Sequence, residues 1–281
     1  MNALARGGPR GEGAPAAVRR AVGRKKAFLF DLDGVFYRGK ETRVPLGGAR
    51  TIDAIRSAGK SFLILTNDST DTREMVRSRL ADSGVSVAAD EILSSAFLTA
   101  DYLKSKYGSV TYYLIGEVGL EAELERLGHR RTRGESADFV VVGLDRGLSY
   151  GSLDHAARVG RGGARIVATH TARLYMYKDG PAVATGPIVK ALEYATGKRA
   201  VVMGKPSPLM FKMALARAGC RPDDAVMVGD QVETDIKGAE RAGIDAILVT
   251  TGVDKSPGSH RVLATIGGID ELAGWILPRQ P

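Results

Sequence analysis

The chain has 281 residues and a hydrophobic content of 44%, which is enough for two domains with real cores. Its single cysteine, Cys220, excludes an internal disulfide framework and is typical of a reducing compartment. No apolar run approaches the roughly 20 residues that are needed to span a bilayer, so we expect a soluble, cytoplasmic protein without membrane contact.

The net charge of +8 is concentrated at the N-terminus, where residues 1–25 carry six cations and one anion. This segment is rich in Gly, Ala, Pro and Arg and has no periodic apolar face, so we predict a disordered basic tail. A nucleic-acid-binding surface needs its basic side chains on a folded face. The pattern therefore favours a solvated tail over nucleic-acid binding, and it leaves contact with an acidic partner open.

After the tail, short apolar strands alternate with helices in three blocks. We predict the first part of a core domain at 26–88, an inserted α/β domain at 89–185 and the second part of the core at 186–281. The core strands are predicted at 27–30, 61–65, 200–203, 225–228 and 246–249. This alternation is typical of a parallel α/β sheet with right-handed crossovers.

Polar motifs follow four of the predicted core strands. They are Asp31-Leu32-Asp33-Gly34, Thr66-Asn67, Gly204-Lys205-Pro206, and Gly229-Asp230 with Asp235. Because ligands bind outside the carboxyl ends of parallel strands, we expect these motifs to converge on one crevice. Carboxylates, a hydroxyl, an amide and one lysine suit a Mg²⁺-dependent attack of an aspartate on phosphorus.

We predict catalytic roles for both aspartates of the first motif. Asp31 is the nucleophile, because an aspartyl-phosphate divides the cleavage of a phosphate ester into two easier steps. Asp33 can protonate the leaving-group oxygen and later accept a proton from the attacking water. Thr66 and Asn67 offer a hydroxyl and an amide to phosphate oxygens, and Asp68 is grouped with them as a substrate-binding residue.

A carboxylate and a dianionic phosphate repel each other, so the site needs cations. Lys205 supplies a fixed positive charge for the nucleophile and the transferring phosphoryl group. Mg²⁺ prefers hard oxygen ligands and usually binds through one or two carboxylates. We predict Asp31 and Asp230 as direct ligands, with the backbone carbonyl of Asp33 as a third. Asp235 would hold a metal-bound water or orient Lys205.

The four motifs resemble those of the haloacid dehalogenase-like hydrolase superfamily, over about residues 26–275. The stretch 204–208 is similar to the NagD-type branch of 4-nitrophenyl, phosphoglycolate and pyridoxal phosphatases. Residues 186–197 resemble the phospholysine phosphohistidine inorganic pyrophosphate phosphatase subgroup. The resemblance implies a Rossmann-like, doubly wound core, a mobile α/β cap between the second and third motifs, and a Mg²⁺-dependent phosphatase for a small phosphorylated metabolite. It also implies a homodimer through the cap as one form of assembly.

One cap segment departs from this family. Residues 168–172 read Ala-Thr-His-Thr-Ala, where many NagD-type members carry Ala-Thr-Asn-x-Asp. His170, Arg173 and Tyr175 are therefore candidate contacts for the leaving group, and a solvated strand-to-loop junction is the alternative. The substrate stays open, as do hydrolysis of pyrophosphate or a phosphoramidate, phosphoryl transfer to another acceptor, and a non-catalytic binding role.

Overall fold

The structure is a computed structural model that describes residues 15–40, 43–177 and 180–276. Its strands are β1 (Ala27–Phe30), β2 (Tyr37–Arg38), β3 (Val44–Pro45), β4 (Ser61–Thr66), β5 (Ile92–Ser94), β6 (Thr111–Ile115), β7 (Arg130–Arg131), β8 (Phe139–Val142), β9 (Arg165–Ala168), β10 (Leu174–Tyr177), β11 (Gly180–Val183), β12 (Val201–Val202), β13 (Ala225–Gly229), β14 (Asp245–Val249) and β15 (Ala264–Ile266). Its α-helices are α1 (Ala16–Gly23), α2 (Ala49–Ser57), α3 (Arg73–Asp82), α4 (Ser95–Tyr107), α5 (Val118–Arg126), α6 (Tyr150–Arg161), α7 (Thr185–Thr196), α8 (Pro208–Ala218), α9 (Lys237–Ala242) and α10 (Ala273–Ile276).

The first sheet has six parallel strands in the order β15-β14-β13-β1-β4-β5. Phe28 and Phe30 of β1 pack in one buried cluster, and Leu29 packs in another. Hydrophobic cores therefore cover both faces of this sheet, which confirms the predicted α/β class. The strand order reverses between β1 and β13, and such a reversal is where open parallel sheets bind ligands.

The second sheet has five parallel strands in the order β12-β9-β8-β6-β7. Residues of its strands β8 and β9 form a buried cluster with α6 and α7. Two antiparallel hairpins, β2-β3 and β10-β11, complete the described strands. None of the described helices is both long and apolar enough to span a membrane.

Sheet membership corrects the predicted domain limits. Ile188 and Leu192 of α7 pack in the cluster of the second sheet, and β12 pairs with β9, so the predicted return to the core at residue 186 is wrong. The predicted limit at residue 88 is too early, because β5 pairs with β4 in the first sheet. A short apolar run does not reveal which sheet it will join, since tertiary contacts decide the pairing. We propose that the cap runs from α4 to β12.

The predicted disorder of the basic tail is also wrong for its last part. Residues 16–23 form α1, whose Val22 is buried in the same cluster as Trp275 of α10. Lys25 then forms an ion pair with Asp245, with 2.7 Å between Nζ and Oδ2. Val18 and Val22 both pack on this cluster, but two valines in a helix of 8 residues are too weak a periodic signal to predict this docking. Residues 1–14 of the predicted tail and 277–281 of the predicted core lie outside the described residues.

Candidate active site

The first motif lies at the carboxyl end of the central strand. The Asp31 amide donates to the Val228 carbonyl at 2.9 Å, which continues the pairing of β1 with β13 by one residue. The chain then turns sharply, since the Gly34 amide donates to the Tyr37 carbonyl at 2.7 Å. Gly34 has a φ of 82°, and a Cβ there would overlap the Asp230 carboxylate. The turn thus needs glycine both for its left-handed backbone and for the close approach of Asp230.

Lys205 joins two of the predicted carboxylates. Its Nζ lies 2.5 Å from Asp31 Oδ1 and 2.7 Å from Asp235 Oδ1, and its side chain is only 2% exposed. Burial alone would lower the pKa of this ammonium, but the Asp235 and Asp31 carboxylates outweigh it and raise the pKa above its ordinary value. Lys205 is therefore charged at every physiological pH, as the predicted role of a fixed cation beside Asp31 requires.

Three buried carboxylates form one cluster. Asp31, Asp230 and Asp235 each offer an oxygen that lies within 4.8 Å of the others. Burial, and then repulsion by Asp31, raises the pKa of Asp230 to about 9 and that of Asp235 to about 6. These raised pKa values mean that one lysine is not enough to keep all three carboxylates ionised, so the ionised cluster needs a further cation.

The donor set of this cluster fits a hard divalent cation. Carboxylate oxygens are what Mg²⁺ prefers, and Asp230 Oδ1 is buried without any hydrogen-bond partner among the described residues. A buried carboxylate oxygen normally has a partner, so this one is available to a metal ion. The Asp33 carboxylate is not part of the cluster, and only its backbone carbonyl was predicted as a ligand.

The Asp33 carboxyl group is suited to giving up a proton near neutral pH. Burial and then the Asp31 charge raise its pKa to about 7, while Arg79 and Lys40 act in the opposite direction. A general acid works best when its pKa lies near the operating pH.

The second motif lies at the end of β4, next to β1. Thr66 is buried, and its Oγ1 accepts a hydrogen bond from the Asp68 amide at 3.1 Å. Asn67 Nδ2 donates to the Lys205 carbonyl at 2.9 Å, whereas its Oδ1 is buried and has no hydrogen-bond partner in the part of the chain that the structure describes. Asn67 thus fastens the loop that carries Lys205 against the end of β4.

Known proteins are similar to this chain in sequence. A model of the haloacid dehalogenase-like hydrolase family matches residues 28–130, and a HAD-hydrolase-like model matches residues 202–264. The sugar phosphatase AraL of Bacillus subtilis is 34% identical, over 88% of this chain and 92% of the relative. The acid sugar phosphatase of Staphylococcus epidermidis is 33% identical, over 81% and 87%. This chain belongs to the haloacid dehalogenase-like hydrolase family.

A solved structure agrees with this membership and with the predicted resemblance. The 4-nitrophenylphosphatase of Thermotoga maritima superposes on this hydrolase with a TM-score of 0.83 at 29% identity, over 92% of this chain and 99% of the other. The predicted family and the predicted fold are therefore confirmed over nearly the whole length of the chain.

The hydrolase holds Asp68 in an ion-pair network that the sequence did not reveal. Asp68 Oδ2 lies 2.8 Å from Lys40 Nζ and 3.4 Å from Arg79 Nη2, and Arg79 also pairs with Asp71. Arg79 is 4% exposed on α3, and Lys40 comes from the β2–β3 hairpin. The Asp68 carboxylate is thus committed to protein partners. Two cations so far apart in the chain carry no common sequence signal.

His170 lies against the site but uses both of its ring nitrogens. Its Nδ1 accepts from the Ala172 amide at 3.2 Å, so Nε2 carries the proton and donates to Thr185 Oγ1 at 3.1 Å. Burial lowers the pKa of the ring to about 4, which keeps it neutral. A Cβ on Gly204 would overlap the Thr169 carbonyl and approach His170 Cβ to 3.1 Å. The structure thus places His170 beside the Lys205 loop as a packed, hydrogen-bonded residue.

The other two predicted cap contacts are more open. Arg173 is exposed, and it lies close enough to Glu233 to add to the hydrogen bond from Lys237 in lowering the pKa of that carboxyl. Tyr175 is half-buried on β10, with its ring 5.8 Å from that of Tyr177. Both residues stay candidates for contact with the leaving group.

Proposed function

We propose that this hydrolase is a Mg²⁺-dependent phosphatase that cleaves phosphate monoesters of small sugar-like metabolites through an aspartyl-phosphate on Asp31. One observation carries the proposal: Lys205 Nζ is held between Asp31 and Asp235, beside a cluster of three buried carboxylates. The reaction class follows from the family and from relatives that are named as phosphatases. The sugar-like substrate is supported by the names of the two sugar phosphatases.

The first step breaks the ester bond. One oxygen of Asp31 attacks phosphorus while Lys205 holds the other, Oδ1, at 2.5 Å. As the Asp31–phosphorus bond forms, the bond from phosphorus to the leaving oxygen breaks, and Asp33 gives its proton to that oxygen. In the second step Asp33 accepts a proton from water, whose oxygen attacks phosphorus and regenerates the Asp31 carboxylate.

Asp31, Asp230 and the backbone carbonyl of Asp33 would hold the metal ion, and Asp235 would orient Lys205. Bound Mg²⁺ supplies positive charge that offsets repulsion between the carboxylates and the phosphate. Thr66 and Asn67, at the end of β4, stay our candidates for contacts with phosphate oxygens. We group Asp68 with the residues that shape this loop, because Lys40 and Arg79 occupy its carboxylate.

The cap hairpin β10–β11 supports a homodimer through the cap. Leu174, Met176 and Val183 expose 57%, 67% and 61% of their surface on this hairpin. Large apolar side chains that lie together at the surface favour association with another surface. A second copy of the chain is the partner that we propose for this hairpin.

The experiment is phosphate release from the full chain with sugar phosphates, 4-nitrophenyl phosphate and pyrophosphate, in Mg²⁺ or in chelator. We expect release that requires Mg²⁺, is fastest with a sugar phosphate and is abolished by Asp31→Asn. Asp53→Asn, an exposed position on α2, is the matched control and should behave like the wild type. Full activity of folded Asp31→Asn, or release only from pyrophosphate, would contradict the proposal.

A further inference from the structure

A loop that follows β14 contacts the predicted metal ligand Asp230. This Gly252 loop comprises residues 250–255. The Val253 amide donates to Asp230 Oδ2 at 2.7 Å, and a Cβ on Gly252 would overlap the same oxygen. Gly252 is not among the glycines with positive φ, so its backbone would accept alanine. Space for Asp230, and not backbone conformation, is what requires a glycine at this position.

The Gly252 loop also connects the two loops that carry the predicted metal ligands. Thr251 Oγ1 donates to the Gly34 carbonyl at 2.5 Å, which ties the loop to the turn after β1. The Asp254 amide donates to the Asp230 carbonyl at 3.0 Å. Asp254 Oδ2 in turn accepts from the Val232 amide at 2.7 Å. The loop thus bridges the ends of β1 and β13, the strands between which the sheet order reverses.

These contacts give the two oxygens of the Asp230 carboxylate different roles. Oδ2 is committed to the Val253 amide, whereas Oδ1 is buried and has no partner among the described residues. Rotation of the carboxylate would break the hydrogen bond from the Val253 amide to Oδ2. A shift of the carboxylate towards Gly252 is blocked by the backbone of that residue. The orientation that remains leaves Oδ1 as the oxygen that has no protein partner among the described residues, on a residue of the carboxylate cluster.

We propose that the Gly252 loop positions Asp230 for a divalent cation, with Gly252 and Asp254 as positioning residues that supply no ligand themselves. This inference rests on the metal site of the proposed function. Groups that orient a metal ligand typically change metal affinity by about 10–100-fold when they are removed. We therefore expect Gly252→Ala to raise the Kd for Mg²⁺ at least about tenfold, and Asp254→Ala to raise it by a smaller factor.

The test is calorimetric titration of the metal-free full chain with Mg²⁺. Gly268→Ala is the matched control, because its backbone is extended at a φ of −176° and its Cβ would meet Thr251 Cγ2 at an ordinary 3.8 Å. Circular dichroism in chelator checks that each variant folds. We expect the wild-type Kd for Gly268→Ala and a weaker Kd for Gly252→Ala, with activity of the latter recovering in part at high Mg²⁺.

A folded Gly252→Ala variant that binds Mg²⁺ as tightly as the wild type would overturn the inference and leave the proposed function standing. If Gly252→Ala does not fold, Thr251→Val and Asp254→Ala test the same bridge. Unchanged Mg²⁺ affinity in both of them would overturn it equally. Failure of the wild type itself to bind Mg²⁺ would instead remove the metal site of the proposed function, and this inference with it.

Discussion

At the scale of single residues, the small number of cations near the buried carboxylates determines the electrostatics of the site. Lys205 is the one cation that contacts Asp31 and Asp235 among the described residues, and it is almost completely buried. A charge in that setting acts through a low effective dielectric, so it is worth far more than a surface charge. Removal of the Lys205 charge should therefore have a large effect on catalysis.

We expect Lys205→Met to lower kcat at least about 100-fold, because the transition state loses a preorganised charge. Lys212→Met, at an exposed position on the neighbouring helix α8, is the control and should leave kcat unchanged. Steady-state kinetics at saturating Mg²⁺ measures both variants. A Lys205→Met enzyme with nearly wild-type kcat would show that the lysine only fills space.

Asp33 should give the reaction a pH dependence that varies with the leaving group. Because its pKa is raised to about 7, the protonated form that serves as the acid is lost as the pH rises through that value. We expect kcat for a sugar phosphate to fall above about pH 7, since its alkoxide leaves poorly without a proton. With 4-nitrophenyl phosphate, whose leaving group needs no proton, the decline should be smaller.

The comparison of the two substrates is best repeated with Asp33→Asn, which cannot donate a proton in this way. Its kcat should drop more for the sugar phosphate than for 4-nitrophenyl phosphate. Equal losses for both substrates would assign Asp33 to positioning and not to proton transfer.

His170 should make stability fall in acid. Its pKa is about 4 in the folded protein and about 6.5 when unfolded, so the unfolded state binds the proton more readily. Burial of the neutral His170 ring therefore carries no proton penalty above about pH 6.5. As the pH falls from 6.5 towards 4, the unfolding free energy decreases by up to about 3 kcal/mol. Urea unfolding between these limits measures it. His170→Gln, which cannot take up this proton, should show a shallower pH dependence; an unchanged slope would assign the acid sensitivity to other groups.

At the scale of elements, the sequence could predict those parts of the site that lie in polar turns directly after parallel strands. The end of β1 was predicted correctly and the ends of β4 and β13 to within one residue, because each is a buried apolar run followed closely by polar residues. Lys205 does reach the same crevice, but by a different route from the predicted one. It follows β12, which belongs to the second sheet. The residues between them are held by two hydrogen bonds: the Met203 amide donates to the Ala168 carbonyl at 3.0 Å, and the Gly204 amide donates to the Thr169 carbonyl at 2.6 Å.

Other parts of the site leave no local mark in the sequence. Arg79 is one of three arginines in α3, and only the fold brings it to Asp68. Gly252 is an exception in principle, because a glycine just beyond the predicted strand 246–249 could have indicated a close backbone approach. Nothing in the sequence, however, shows that Asp230 is what approaches it.

The contact between the second-motif loop and α5 offers a test at this scale. The Gly119 amide donates to the Thr70 carbonyl at 3.2 Å, and a Cβ on Gly119 would overlap the Asp71 backbone. We expect Gly119→Ala to cost about 1–3 kcal/mol of unfolding free energy, because the helix must move away from the loop. Urea denaturation measures this cost. Gly151→Ala, an exposed position on α6 whose Cβ would lie 3.8 Å from Ser149 Oγ, should be nearly neutral; equal stability of both variants would show that the loop yields freely.

At the scale of the whole molecule, alternation of strands and helices predicted the α/β class but not the division of the chain. One buried cluster contains Leu29 of the first sheet together with Phe139 and Val167 of the second. Since the apolar core runs on from one sheet to the other, no change in hydrophobic pattern marks where the first unit ends. That is why the predicted limits at 88 and 186 fell on the wrong side of β5 and α7.

The position of β12 has a consequence for protein engineering. This edge strand of the cap ends at Val202, and Lys205 follows only three residues later. When caps are exchanged between two such hydrolases, the cap therefore cannot be replaced without also deciding which protein supplies β12 and Lys205. A junction placed before β12 takes the edge strand from the recipient, and one placed after Lys205 brings in the donor's lysine. Chimeras cut at these two points would separate the contribution of substrate fit from that of lysine placement.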